Sequence, residues 1–179
     1  MPVRPLLRDE LKRRTIVADG AMGTMIQAEN PSLEDFQNLE GCNEILNVSR
    51  PDIIKAVHRK YLEAGCDAIE TNTFGANLAN LAEYDIGDRI YELAYAGGKL
   101  AREVADEFPE SKWVLGSIGP GTKLPTLGHT DYEILRSAYF ECAKGLVDAG
   151  VDALLIETAQ DLLQAKAAVI AAREAIDKA

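Results

Sequence analysis

Short apolar runs alternate along this chain with longer stretches in which apolar residues recur every three or four positions. Thr15-Ile16-Val17-Ala18 has three apolar residues in a row and predicts a short strand buried on both faces. Ahead of it, Leu6, Leu7 and Leu11 mark one side of a short amphipathic helix over 5–14. Ser49-Arg50-Pro51-Asp52 has the chemistry of a helix start, with Ser as cap, Pro in the first turn and an acid three residues after the cap. That helix buries Ile53, Ile54, Val57 and Tyr61 and stops at Gly65; His58 lies beside the stripe and reads as a border residue. A second strand is expected over 67–74, followed by helical stretches over 77–84 and 88–107. Gly97-Gly98 falls inside the second of these. Each Gly there costs about 1 kcal/mol against Ala, so close packing on a neighbour is the expected compensation. A third strand covers 113–118. The next helix begins at a capping box from Thr130 to Glu133 and turns Leu135, Ala138, Cys142 and Leu146 inward. A fourth strand over 151–158 leads to an Ala-rich helix that Asp161 opens and that runs to Lys178.

Strands alternating with helices make a parallel sheet with right-handed crossovers. The stretch Glu63-Ala64-Gly65-Cys66-Asp67-Ala68 is echoed by Asp148-Ala149-Gly150-Val151-Asp152-Ala153, so one βα module is used repeatedly. The strands end in polar residues, namely Asp19, Glu70, Ser117 and Glu157. Doubly wound sheets and β/α barrels both gather such ends on one rim. No GxGxxG or Walker motif follows a strand, and acids on successive strand ends favour the barrel. A closed barrel takes eight strands and roughly 250 residues. The expected fold class is therefore α/β, of the parallel TIM-barrel type, with residues 1–179 forming a single incomplete domain of about half a barrel. Its first and last strands would be open edges with unpaired backbone groups. The missing C-terminal half, or a second copy of the chain, is the expected partner.

Composition narrows the setting. The 179 residues are 47% hydrophobic and 27% charged, enough for a substantial core, and the net charge of −10 argues against nucleic acid or an anionic membrane surface as partner. No apolar run reaches membrane-spanning length. Three cysteines without CxxC spacing, and no signal-peptide pattern, point to a reducing cytoplasm. Cys42, in the polar loop 38–44 beside Gly41, is expected to be exposed, as a reactive thiol or an inert one; Cys142 reads as core. His129, between Gly128 and Thr130, either touches a ligand or serves loop geometry.

The candidate chemistry centres on Asp19-Gly20-Ala21-Met22-Gly23, where a strand ends in a carboxylate and a glycine turn. Exposed amides there can hold an anion a few ångströms from an acid that holds a cation, and a zwitterionic amino acid carries both charges. The same Asp-Gly also suits an ordinary strand-to-helix turn with the acid as helix cap.

Together with Asn38-Leu39-Glu40-Gly41-Cys42-Asn43-Glu44, Glu70-Thr71-Asn72-Thr73-Phe74-Gly75, Gly116-Ser117-Ile118-Gly119-Pro120 and Ile156-Glu157-Thr158, this stretch resembles the homocysteine S-methyltransferases, from about Arg13 to the C-terminus. The likeness is to the homocysteine-binding domain of the cobalamin-dependent members; betaine-dependent enzymes belong to the same group. The resemblance implies a β/α barrel that binds homocysteine at the strand carboxyl ends and transfers a methyl group to its thiol, giving methionine. It implies zinc on three cysteines of the complete domain, which makes the thiol a thiolate, and cobalamin and methyltetrahydrofolate acting through other domains. Carried over residue by residue, Asp19 and Glu157 match the acids that hold the amino group, and the Gly20 and Ala21 backbone matches the cradle for the carboxylate. Glu70, Asn72, Thr73, Phe74 and Ser117 would line the pocket. The family's zinc cysteines, one of them in a Gly-Gly-Cys-Cys motif absent from this sequence, are not matched by Cys42, Cys66 and Cys142, so neither zinc nor methyl transfer is expected of this chain alone. Two other readings stay open: a non-catalytic, self-associating half-barrel, and a barrel lyase or aldolase using Glu70 and Glu157 around a hard cation such as Mg²⁺.

Overall fold

The structure, a computed structural model, describes residues 4–179. In chain order its elements are α1 (Leu7–Glu10), α2 (Met22–Ala28), α3 (Leu46–Ser49), α4 (Pro51–Glu63), β1 (Ala68–Glu70), α5 (Leu78–Leu81), α6 (Ile90–Ala105), β2 (Trp113–Ile118), α7 (Tyr132–Ala149), β3 (Ala153–Ile156) and α8 (Leu162–Asp177), with short 3-10 turns between some of them. The three strands form a parallel sheet in the order β1-β2-β3, with Ala68 opposite Trp113 and Leu115 opposite Ala153.

The expected first strand is reduced to one parallel bridge, Ala18 to Ala68. The Asp67 and Ala68 N–H groups donate to the Val17 carbonyl, and the Asp19 N–H donates to the Ala68 carbonyl. All these bonds lie on the β1 side. Among the described residues nothing covers the outer flank, and Val17 is 56% exposed, so this segment is not buried on both faces. Strand neighbours thus follow chain order from Ala18 through β3, without the reversal that marks the switch point of a doubly wound sheet. β1 is also shorter than the expected 67–74. Beyond Glu70 the Thr71 N–H makes one more ladder bond, to the Leu115 carbonyl (3.0 Å), and hydroxyls then replace the ladder: the Ser117 N–H donates to Thr71 Oγ1 (3.0 Å) and Thr73 Oγ1 donates to the Ser117 carbonyl (2.7 Å).

Several local expectations shift by a residue or two. Ser49 closes α3, where its Oγ bonds the Ile45 carbonyl, and α4 is capped at Arg50 instead. Asp131, not Thr130, caps α7 through the Glu133 N–H. Asp161 caps α8 as expected, accepting from the Leu163 and Gln164 N–H groups. The N-terminal helix is a single turn with no buried residue, and Leu6 and Leu11 stay exposed. This segment is held by polar contacts, Trp113 Nε1 to the Pro5 carbonyl and Arg4 to Asp152.

The glycine pair of α6 is explained by contact. A Cβ on Gly97 would lie 2.7 Å from both Asn47 Nδ2 and Thr73 Cγ2, and one on Gly98 2.6 Å from the Ala149 Cβ. Helix α6 therefore rests directly on α7 and on the loop after β1. The core spreads from this line, with Leu93, Ala94, Ala143 and Leu146 between α6 and α7, Ile69, Ala101, Val104 and Val114 at the lower sheet, and Ile26, Ile54, Val57 and Leu100 under α2 and α4.

Two side chains contradict the sequence reading. Cys42 is buried, because the 38–44 loop folds back over the core with Leu39 beneath it. His58 is fully buried, and neither ring nitrogen has a hydrogen-bond partner among the described residues. Burial alone pushes its pKa down to about 4. Among the described residues no helix is long and apolar enough to cross a membrane.

Candidate functional site

The carboxyl ends of the sheet open into a cavity of about 390 Å³. Its first wall is the turn after Ala18. Both carboxylate oxygens of Asp19 accept from the Glu70 N–H, at 3.0 and 3.1 Å, so Asp19 reaches across to the end of β1 and does not cap a helix. The cap position of α2 is Ala21, with no side-chain bond. Among the described residues the Gly20 and Ala21 N–H groups have no acceptor, and both residues line the cavity. Tyr61, on α4, donates its hydroxyl to the Ala21 carbonyl (3.1 Å) and leaves little room for a side chain at Gly20.

The second wall is acidic. Glu70 and Glu157 join Asp19 around the cavity, Ser117 Oγ donates to Glu157, and among the described residues no Lys, Arg or His lines the space. Burial pushes the Asp19 pKa up to about 7; the Glu70 N–H acts against that rise, and the charges of Glu70 and Glu157 add to it. Glu70 is raised as well, by burial first and then by Glu157. Such a wall stabilises a cationic group, because each carboxylate regains as ion pairing part of the solvation it lost.

The third wall is the loop after β1. The Asn72 side-chain amide donates to the Asn43 carbonyl (2.8 Å) and to Asn47 Oδ1 (3.0 Å). Asn47 answers with bonds to the Asn72 and Leu93 carbonyls. This reciprocal pair fixes the loop so that Phe74, 43% exposed, meets the cavity. Glu44 closes the same side. It is buried, its carboxyl accepts the Gly75 N–H (2.7 Å), and burial raises its pKa.

A family model for homocysteine S-methyltransferase matches residues 16–179. The chain belongs to the homocysteine S-methyltransferase family. It is 59% identical over 176 residues to methionine synthase of Mycobacterium tuberculosis and 57% identical to that of Mycobacterium leprae, in each case over 97% of this chain and 15% of the relative. Among solved structures it is similar to the metallated form of the homocysteine methyltransferase MmuM from Escherichia coli, with a TM-score of 0.77 and 25% identity, over 98% of this chain and 64% of that one. The chain thus spans under a sixth of the curated relatives it matches and about two thirds of the solved one.

Among the residues that the family resemblance assigns to the site, Asp19, Gly20, Ala21, Glu70, Asn72, Phe74, Ser117 and Glu157 all line this one cavity. Thr73 does not. It is fully buried, and its hydroxyl is spent on the Ser117 carbonyl and on Thr71 Oγ1, so it splices the sheet instead of facing the cavity. Sequence reasoning missed Asn43, Glu44 and Thr71 as lining residues, and it took Tyr61 for core packing alone. The long polar loop at 38–44 was the available signal. His129 sits elsewhere, where its Nδ1 accepts the Leu124 N–H of its own loop (3.3 Å).

The cysteines do not fit a zinc site. All three are buried, Cys42 and Cys142 in one core cluster and Cys66 in another, so the three thiols do not share a site. Among the described residues no three His, Cys, Asp or Glu side chains are grouped to share an ion.

Proposed function

We propose that this chain is the homocysteine-binding part of a methionine synthase-type enzyme, which holds the amino acid while its thiol accepts a methyl group to give methionine. The observation that carries this reading is the charge layout of the cavity. Asp19, Glu70 and Glu157 form a wall suited to an ammonium group, and the unused Gly20 and Ala21 amides stand beside it, suited to a carboxylate. An α-amino acid presents these two groups on one carbon. Asp19, with its pKa near 7, is poised to ionise fully when the ammonium arrives. Phe74 offers an apolar surface to the methylenes of the side chain.

Residues 1–179 are read as one incomplete domain, about half of a TIM barrel, with Ala18 and β3 at its open edges. Every residue of β3 is only half-buried, in keeping with an uncovered strand. The C-terminal half of the barrel is the partner expected there. Zinc, which would turn the bound thiol into a thiolate, belongs to that remainder, and cobalamin and methyltetrahydrofolate to further domains. A self-associating half-barrel is a second reading, supported by the exposed Leu162, Val169, Ile170 and Ile176 of α8.

Calorimetric titration with homocysteine tests the proposal. The chain alone, or with the remaining half of the barrel added, should bind homocysteine, and Asp19→Asn should weaken it at least tenfold. Absence of binding in both preparations, or an Asp19→Asn variant that binds equally well, would overturn the reading. Light scattering on the chain alone separates a self-associating assembly from a monomer.

A further inference from the structure

The 38–44 loop has no part in the reading above, yet it holds the best-buried carboxylate of the cavity wall. Glu44 is 8% exposed. One of its oxygens accepts the Gly75 N–H at 2.7 Å, and the other faces the Cys42 thiol at 4.0 Å. Gly75 is pressed so closely onto this carboxyl that a Cβ there would lie 2.6 Å from Glu44 Oε1. On the opposite side, a Cβ at Gly119 would run into the Phe74 carbonyl and approach the Phe74 ring to 2.8 Å. The Phe74–Gly75 peptide is therefore gripped from two directions, by the carboxyl of Glu44 behind and by the bare backbone of Gly119 in front. Asn43, next to Glu44, fixes the same loop by accepting the Asn72 side-chain amide. Four consecutive residues, Asn72 to Gly75, are thus templated by the pair Asn43-Glu44.

We propose that Glu44 is a positioning residue for the homocysteine site: through the Gly75 N–H it holds the Phe74 ring in place against the substrate's methylenes. This deepens the homocysteine reading and rests on it. The role needs an oxygen acceptor at this point and not a negative charge. The ammonium of the ligand is met by Asp19, Glu70 and Glu157, whereas the carboxyl of Glu44 is engaged by the protein itself. Substitution by Gln keeps an oxygen for the Gly75 N–H and removes the charge. Substitution by Ala leaves a buried donor without a partner and frees the loop.

The test combines homocysteine calorimetry with amide exchange of Gly75, on the chain in whichever preparation binds homocysteine. Glu44→Gln should hold affinity within about threefold and keep Gly75 protected, whereas Glu44→Ala should lose about tenfold in affinity and expose Gly75 to exchange. Phe74→Ala should cost affinity in the parent protein and little more in the Glu44→Ala background, because the two act as one unit. A Glu44→Gln variant as damaged as Glu44→Ala would make Glu44 a direct charge ligand and overturn the proposal. Additive losses from Glu44→Ala and Phe74→Ala would overturn it too. Should Glu44→Ala fail to fold, Gly75→Ala attacks the same contact from the other side and carries the same expectations. A parent chain that binds no homocysteine in any preparation refutes the functional reading instead, and Gly75 exchange in the Gln and Ala variants then decides whether the Glu44 clamp exists.

Discussion

His58 offers a direct test of how the burial in this fold is balanced. Its imidazole is fully buried and neither nitrogen is hydrogen-bonded among the described residues, which costs on the order of 1–3 kcal/mol relative to an apolar side chain of similar size. His58→Leu nearly keeps the volume, suits the helix and fills the same buried space. It should therefore raise stability at pH 7 by about 1–3 kcal/mol. The pH dependence is the sharper signature. The folded pKa near 4 lies below the usual 6.5, so the unfolded chain binds the proton first, and the contribution of His58 is intact above pH 6.5 and lost as pH falls toward 4. The full loss for a displacement of this size is about 3 kcal/mol, of which about 2 kcal/mol appears between pH 7 and pH 5. Asp19, Glu44 and Glu70 act in the opposite direction, since their raised values make the folded state take up protons as pH falls. Only the difference between parent and variant isolates His58. Urea unfolding of both proteins at pH 7, 6 and 5 should show a gap that widens toward acid. Parallel curves, or a variant less stable than the parent at every pH, would refute a neutral, unpartnered imidazole in the core.

Other outcomes follow from the same structure. Homocysteine affinity should fall as pH drops below about 7, where Asp19 takes up a proton, and Asp19→Asn should flatten that part of the profile; titration calorimetry from pH 8 to 5.5 measures both. Gly98→Ala should destabilise the chain by about 1–3 kcal/mol despite the better helix propensity of Ala, because the new methyl meets Ala149 at 2.6 Å; thermal unfolding decides. Tyr61→Phe removes the bond to the Ala21 carbonyl and should weaken homocysteine binding severalfold while changing stability by less than about 1 kcal/mol, which calorimetry and urea unfolding separate. Thiol titration with a disulfide reagent at pH 7 should find Cys42, Cys66 and Cys142 unreactive until denaturant is added, since each is buried with a raised pKa.

Much of the architecture was legible because it is written in local periodicity. The run 113–118 became β2 residue for residue, and helices α4, α6, α7 and α8 appear where three-and-four spacing and Gly or Asp punctuation set them. Most of the cavity was legible too, since polar residues at the ends of apolar strands gather on one rim of such a sheet. What the sequence could not carry was depth and pairing. Whether Thr15–Ala18 becomes a strand depends on a neighbour for its outer edge, and one bridge is what β1 alone supports. Cys42 and Glu44 sit in a polar loop whose burial comes from the fold-back over the core, a contact with residues far along the chain. Thr73 looked like a pocket residue by its place among Asn72 and Phe74. It is turned inward, where its hydroxyl takes up the Ser117 carbonyl beyond the end of the β1 pairing. The sequence by itself determined the order of βα units, the polar rim and the closely packed glycines of α6. Tertiary structure alone decided which polar groups face the cavity and which are spent holding it in shape, because that choice depends on hydrogen bonds between segments distant in the chain.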